Sequence, residues 1–185
     1  MIVKYGSENV TVRRIADAVG ISEAAIYRHF KSKRDILYVL ADLIQQNRVG
    51  DIERAIENHQ SSLATVESLM RDHISAIEQR HGISHQVIAE IISLGDKDLN
   101  RRYYEIVTTY IDRLAELIRL GMKSGELRED IDPQTAALQL YGMIDGLVSM
   151  WALGNFSFNL VARYEPLWGM FRDSVSRRPL AAMSQ

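Results

Sequence analysis

Apolar residues recur at intervals of three and four along nearly the whole chain, the spacing that places side chains on one face of an α-helix. Val12, Ile15, Ala16 and Val19 form the first such face, behind Thr11 as a capping hydroxyl, and Gly20 marks a tight turn. Ser22 then caps a helix running to about Phe30, with Ala25, Ile26 and Phe30 facing inward and Glu23, Ala24, Tyr27, Arg28 and His29 mostly outward. Residues 33–49 predict a long amphipathic helix whose buried side carries Ile36, Leu37, Val39, Leu40, Leu43 and Ile44, and residues 51–60 continue it or begin another. Further helices are predicted from Ser62 to Gln79, His85 to Leu94 and Leu99 to Met122, the last ending at the Gly125 turn. Asp132 before Pro133 is a strong start signal, a capping carboxylate followed by a proline at the first helical position. That helix is expected to stop at Gly154-Asn155, and a final one spans about Asn159 to Val175 with Pro166 inside it, where it kinks or divides. No segment shows sustained alternation, so no strand is predicted.

Two short helices joined at Gly20, the second with exposed Tyr27, Arg28 and His29, form the layout of a helix-turn-helix. The segment Gly20-Ile21-Ser22, Tyr27, His29-Phe30 and Lys31-Ser32-Lys33 resembles the signature of the TetR family of bacterial transcription regulators, over roughly the stretch up to Leu40. The resemblance implies an all-α protein of about nine helices, the first truncated, since only Met1 to Tyr5 precede Gly6. Losing that first helix would expose Ile15 and Ile26, so a start lying upstream is expected, and the chain as written is expected to bind DNA poorly. Residues 1–48 would be the helix-turn-helix head, 49–178 a helical effector-binding and dimerisation domain, and 179–185 a C-terminal tail.

The resemblance also assigns roles within the head. Glu23, Ala24 and Ala25 would meet base edges, and the two alanines offer thymine methyls apolar contact without a hydrogen-bond code. Arg28 is the best candidate for guanine, since its planar fork matches O6 and N7, with phosphate as the alternative. Tyr27, His29 and Lys33 would hold the DNA backbone, Arg13 a base or a phosphate, and Thr11 and Ser22 would offer hydroxyls or helix-end N–H groups to phosphates.

Charge supports this division. The whole chain carries −2, yet residues 1–48 hold eight Lys/Arg against five Asp/Glu, so a basic head sits on an acidic body. The chain has no cysteine, which excludes a disulfide framework and a cysteine-ligated metal, and no apolar run approaches the ~18 residues of a membrane span. A cytoplasmic protein is therefore expected. There is no glycine-rich phosphate loop, no Gly-x-Ser-x-Gly elbow and no His-Glu-x-x-His, so no enzyme is predicted. His73, His81 and His85 are the only histidines spaced closely enough to suggest a metal, but Gly82 interrupts them and no carboxylate set accompanies them. Neither metal nor cofactor is expected.

The segment Ala136 to Leu153 is apolar around much of its circumference, so more than one of its faces must be covered. Gly142 and Gly146 lie one turn apart and permit a close crossing. By the resemblance, about 134–153 and 158–175 would pair with their copies in a homodimer, and a two-fold dimer requires a roughly palindromic operator. An effector cavity would be lined by Met70, His73, Ile77, Ile88, Ile91, Tyr103, Tyr104, Val107, Tyr110, Ile111 and Met143, suited to an apolar or amphipathic organic molecule. The expected function is a ligand-responsive repressor released by that effector. The alternative is a DNA-binding or architectural protein governed by a protein partner. A closed apolar cavity of ligand size would separate the two.

Overall fold

The computed structural model describes residues 22–57 and 62–177. Those residues form seven helices, and no strand longer than an isolated bridge occurs among them. They are α1 (Glu23–His29), α2 (Lys33–Glu57), α3 (Ser62–Gln79), α4 (Ile83–Leu94), α5 (Lys97–Lys123), α6 (Pro133–Leu153) and α7 (Leu160–Val175). The first motif helix and the truncated helix before it fall in residues 1–21, outside the described residues.

Local chemistry explains the helix starts. At the head of α2, Asp35 N–H donates to Ser32 Oγ at 3.2 Å while the Asp35 carboxylate accepts from Lys31 N–H at 2.9 Å, a reciprocal cap. Asp96 accepts from the backbone of Asp98 and Leu99 to open α5. Asp132 accepts from both the N–H and the hydroxyl of Thr135, with Pro133 at the first position of α6. Asn159 accepts from Ala162 N–H at 2.7 Å, and Glu78 reaches from α3 to take Leu160 N–H at 2.6 Å, so two side chains start α7. The helix α4 is bracketed by Gly82 and Gly95, both left-handed at φ 68° and 66°, a conformation that glycine adopts without a Cβ penalty.

Two apolar clusters hold these helices together, and α5 belongs to both. The larger joins Met70, Ile74 and Ile77 of α3, Leu114 and Ile118 of α5, Leu140, Val148 and Trp151 of α6, and Tyr164, Trp168 and Phe171 of α7. The smaller joins Leu37 and Ala41 of α2, Val87 and Ile91 of α4, and Leu99, Tyr103 and Ile106 of α5. The segment Glu126–Arg128 gathers three parts of the chain. Glu126 accepts from Leu63 N–H through its carboxylate and from Arg177 N–H through its carbonyl, and Arg128 N–H donates to Val175 O at 3.0 Å.

Several expectations change. The helix α2 runs unbroken through Gly50 to Glu57. Val39 and Leu43, expected inside it, are 44% and 49% exposed, because Ile36, Leu37 and Ala41 supply the face that packs inward. Pro166 neither ends nor divides α7, which continues to Val175. By length and composition α6 is apolar enough to cross a membrane, contrary to the expectation that no run approaches that length. In the fold it packs against α5 and α7.

Candidate nucleic-acid interface and ligand pocket

The recognition segment is α1, seven residues long. Ser22 caps it by accepting from Ala25 N–H at 3.1 Å, which leaves the hydroxyl engaged at the exposed start of the helix. Ala24, Arg28 and His29 are exposed, whereas Ala25 is half-buried and presents less surface to a base than Ala24. Arg28 and His29 occupy the last turn, where a cation is favoured by the helix dipole. Glu23 and Tyr27 lie on the same helix, and their side chains are outside the described set. Thr11 and Arg13 are also outside it.

Lys33 is placed differently from a free phosphate contact. Its ammonium forms an ion pair with Glu90 of α4, a carboxylate whose side chain is only 13% exposed. Arg34 beside it bonds Asp96 at 2.7 Å and Asp98 at 3.3 Å and lies 5.3 Å from the Tyr38 ring centre. The first turn of α2 is thus tied to α4 and to the start of α5. One helical region further on, Arg102 of α5 takes Asp42 with two of its nitrogens.

On the other side of α4, a small cleft, partly open to solvent, lies among α3, α4, α5 and α6. Met70, His73, His85, Tyr110, Tyr141, Ile144 and Asp145 line it. Tyr110 donates to Met70 Sδ at 3.7 Å and meets Tyr141 edge to face, the ring centres 6.3 Å apart. His85 Nε2 lies 3.1 Å from Asp145 Oδ1, which joins α4 to α6 across the opening. The chemistry is amphipathic, with sulfur, ring and aliphatic walls beside one ion-pairing group. Its cavity volume is about 10 Å³, room for about one water, so the cleft is not the closed, ligand-sized cavity that would separate the two expected functions.

Three of the expected pocket residues, Met70, His73 and Tyr110, do line this cleft. Ile77 and Ile111 belong to the larger core, while Ile91 and Tyr103 belong to the smaller, with Ile88 packed against it. Val107 touches both clusters, and Met143 packs against the larger one. Tyr104 is 68% exposed on the opposite side of α5 from Tyr103, since neighbours on a helix diverge by about 100°. The cleft residues His85, Tyr141, Ile144 and Asp145 were not expected there. His85 and Asp145 stand 60 residues apart, and no local spacing signals such a pair.

A short helix with a basic last turn beside an all-helical body is the layout that a helix-turn-helix regulator with a separate C-terminal domain would have. The comparisons make the assignment specific. Residues 1–39 match the model of bacterial regulatory proteins of the tetR family, and residues 44–173 match the C-terminal region of YsiA-like proteins. The chain belongs to the TetR family. It is a DNA-binding transcription regulator, of a family whose members bind DNA as dimers. It is 24% identical over 163 residues to the fatty acid metabolism regulator protein of Bacillus subtilis, spanning 88% of this chain and 83% of that one. It is 23% identical over 174 residues to the nucleoid occlusion factor SlmA of Vibrio cholerae, spanning 92% and 87%. Among solved structures, the transcriptional regulator FadR from Bacillus subtilis in complex with stearoyl-CoA superposes with a TM-score of 0.72. The two are 25% identical, over 92% of this chain and 91% of that one.

Proposed function

We propose that this chain is a homodimeric repressor of a roughly palindromic operator, released by a long-chain acyl effector such as an acyl-CoA. The observation that carries the effector class is the fold, shared over nine-tenths of its length with a regulator solved with stearoyl-CoA, while the small amphipathic cleft between α3 and α6 marks where the helices would part. The cleft is smaller than a C18 chain requires, so binding would open it at the expense of the His85–Asp145 contact. Only an effector that prefers the opened state can shift the operator-binding equilibrium.

The division of labour is a head of residues 1–48, a sensing and pairing body of 49–178 and a tail of 179–185, with the smaller cluster joining α2 to α4 and α5 of the body. Ser22 at the start of α1 and Ala24, Arg28 and His29 along it would face the DNA, Ala24 and Arg28 meeting base edges and Ser22 and His29 positioning the backbone, with Lys33 on a phosphate once α2 docks. Pairing uses α6 and α7. Leu138, Gly142, Gly146, Met150 and Leu153 form one exposed stripe along α6, and Ala162, Pro166 and Met170 form another on α7. Leu153 at 79% and Met170 at 72% are among the most exposed large apolar side chains of the described residues, the kind of patch that marks an interface. A cytoplasmic location suits a protein whose target is the chromosome.

The test is operator binding by fluorescence anisotropy in the presence of stearoyl-CoA, free stearate and CoA alone. Release by stearoyl-CoA at low micromolar concentration, with no effect of CoA, is expected. Binding unchanged by any of the three, together with a protein captured on the same body, would favour the partner-governed reading that the similarity to SlmA suggests.

A further inference from the structure

We infer that Glu90 is a determinant of operator affinity, because it competes with a DNA phosphate for the Lys33 ammonium. The inference rests on the proposed role of Lys33 as a phosphate contact and goes beyond it. Lys33 opens α2, four residues after the end of α1. Its ammonium is paired with Glu90, and the Glu90 side chain is 13% exposed against 33% for Lys33. Arg34 offers no substitute, since Asp96 and Asp98 already hold its guanidinium.

Two routes to a phosphate exist, and each carries a cost. If Lys33 stays with Glu90, an approaching phosphate meets a neutralised pair and a nearby like charge. If Lys33 swings to the phosphate, a carboxylate mostly shielded from water loses its counter-ion. Either way the body withholds part of the attraction that the head could exert. Glu90 is placed to vary this. It stands on α4, a short helix between two left-handed glycines that presents His85 to the cleft and Val87 and Ile91 to α2 and α5. A displacement of α4 at the cleft therefore changes how tightly Glu90 holds Lys33, which gives the cleft an electrostatic line to the DNA.

The experiment measures binding of the full dimer to a duplex selected by the wild-type protein from random-sequence DNA, across 50–300 mM salt, for the wild type, Glu90→Gln, Lys33→Ala and the double variant. Glu90→Gln keeps the side-chain shape without the charge, and Glu90→Met repeats the test with the stem alone. Both should tighten binding about three- to ten-fold at low salt, with a steeper salt dependence and a gain that shrinks as salt rises. In the Lys33→Ala background, Glu90→Gln should change nothing. If it tightens binding equally in both backgrounds, Glu90 merely repels DNA and the competition is overturned. If Lys33→Ala shallows the salt slope by about one ion per protomer while neither Glu90 variant tightens binding, Lys33 holds a phosphate and Glu90 does not contest it. If Lys33→Ala leaves the slope unchanged in the Glu90→Gln background as well, the phosphate contact itself fails and this inference falls with it.

Discussion

Replacing Gly142 and Gly146 together by alanine separates the folding of one protomer from the pairing of two. Within a single chain, a Cβ at either position meets no atom within 4 Å. Both lie on the exposed stripe of α6 between Leu138 and Met150. Alanine in a helix interior is favoured over glycine by about 0.5–1 kcal/mol, so the isolated protomer gains about 1–2 kcal/mol from the pair. If α6 crosses its copy at these glycines, the two-fold axis turns two substitutions into four added methyl groups in a close seam. At about 1 kcal/mol for each overpacked group, the dimer loses about 4 kcal/mol, nearly three powers of ten in its dissociation constant. The assay pairs light scattering over a dilution series with thermal unfolding at a concentration where the protein is monomeric. The expected result is a weaker dimer built from more stable protomers. A variant that pairs as tightly as the wild type and melts higher would refute the argument, because the glycines would then face solvent in the dimer.

Three further outcomes test other parts of the structure. Asn159→Ala should cost about 1 kcal/mol in chemical denaturation, and a loss well below that would mean that Glu78 alone suffices to start α7. The Asp132 carboxyl, hydrogen-bonded by Thr135, and the Asp130 carboxyl, bonded by Arg128, are both held below the ordinary carboxylate range in the folded state. Their contribution to stability is therefore complete above pH about 4 and is lost as the pH falls through their lowered values. Asp132→Asn, which keeps a cap without a titrating group, should flatten that part of the stability profile; an unaltered acid limb would assign it to other carboxylates. Arg28→Ala should cost operator binding about 1–3 kcal/mol and relax the preference at one base position, measured by competition with single-base operator variants. An even loss over all variants would make Arg28 a backbone contact.

Much of the helical order was legible because each boundary carried its own chemistry. Asp132-Pro133 opens α6 and Gly154 closes it at the expected residues, and Ser62 to Gln79 is recovered without change. The recognition helix is legible for the same reason, as Ser22 caps a run whose apolar and polar positions fall on opposite sides. Facing is harder to read where both candidate faces are apolar. Val39 and Leu43 satisfy helical spacing as well as Ile36 and Leu37 do, and which set turns inward depends on where α4 and α5 lie. Tyr103 and Tyr104 pose the same ambiguity in adjacent residues. The cleft was only partly legible because its polar element is a pairing across helices: His85 and Asp145 carry no signal until α4 and α6 are side by side. The Lys33–Glu90 pair was hidden in the same way.

The backbone bonds at Glu126–Arg128 bear on how firmly the proposed pairing surface is held. Glu126 joins residues near the start of α3 to residues beyond the end of α7, and Arg177 donates the closing bond. A chain cut after Val175 keeps every helix described above and the Arg128–Val175 bond, yet it loses the bond from Arg177 to Glu126. Proteolysis between α7 and Arg177 would therefore loosen the end of a helix proposed to face a partner protomer, without removing any helix of the body.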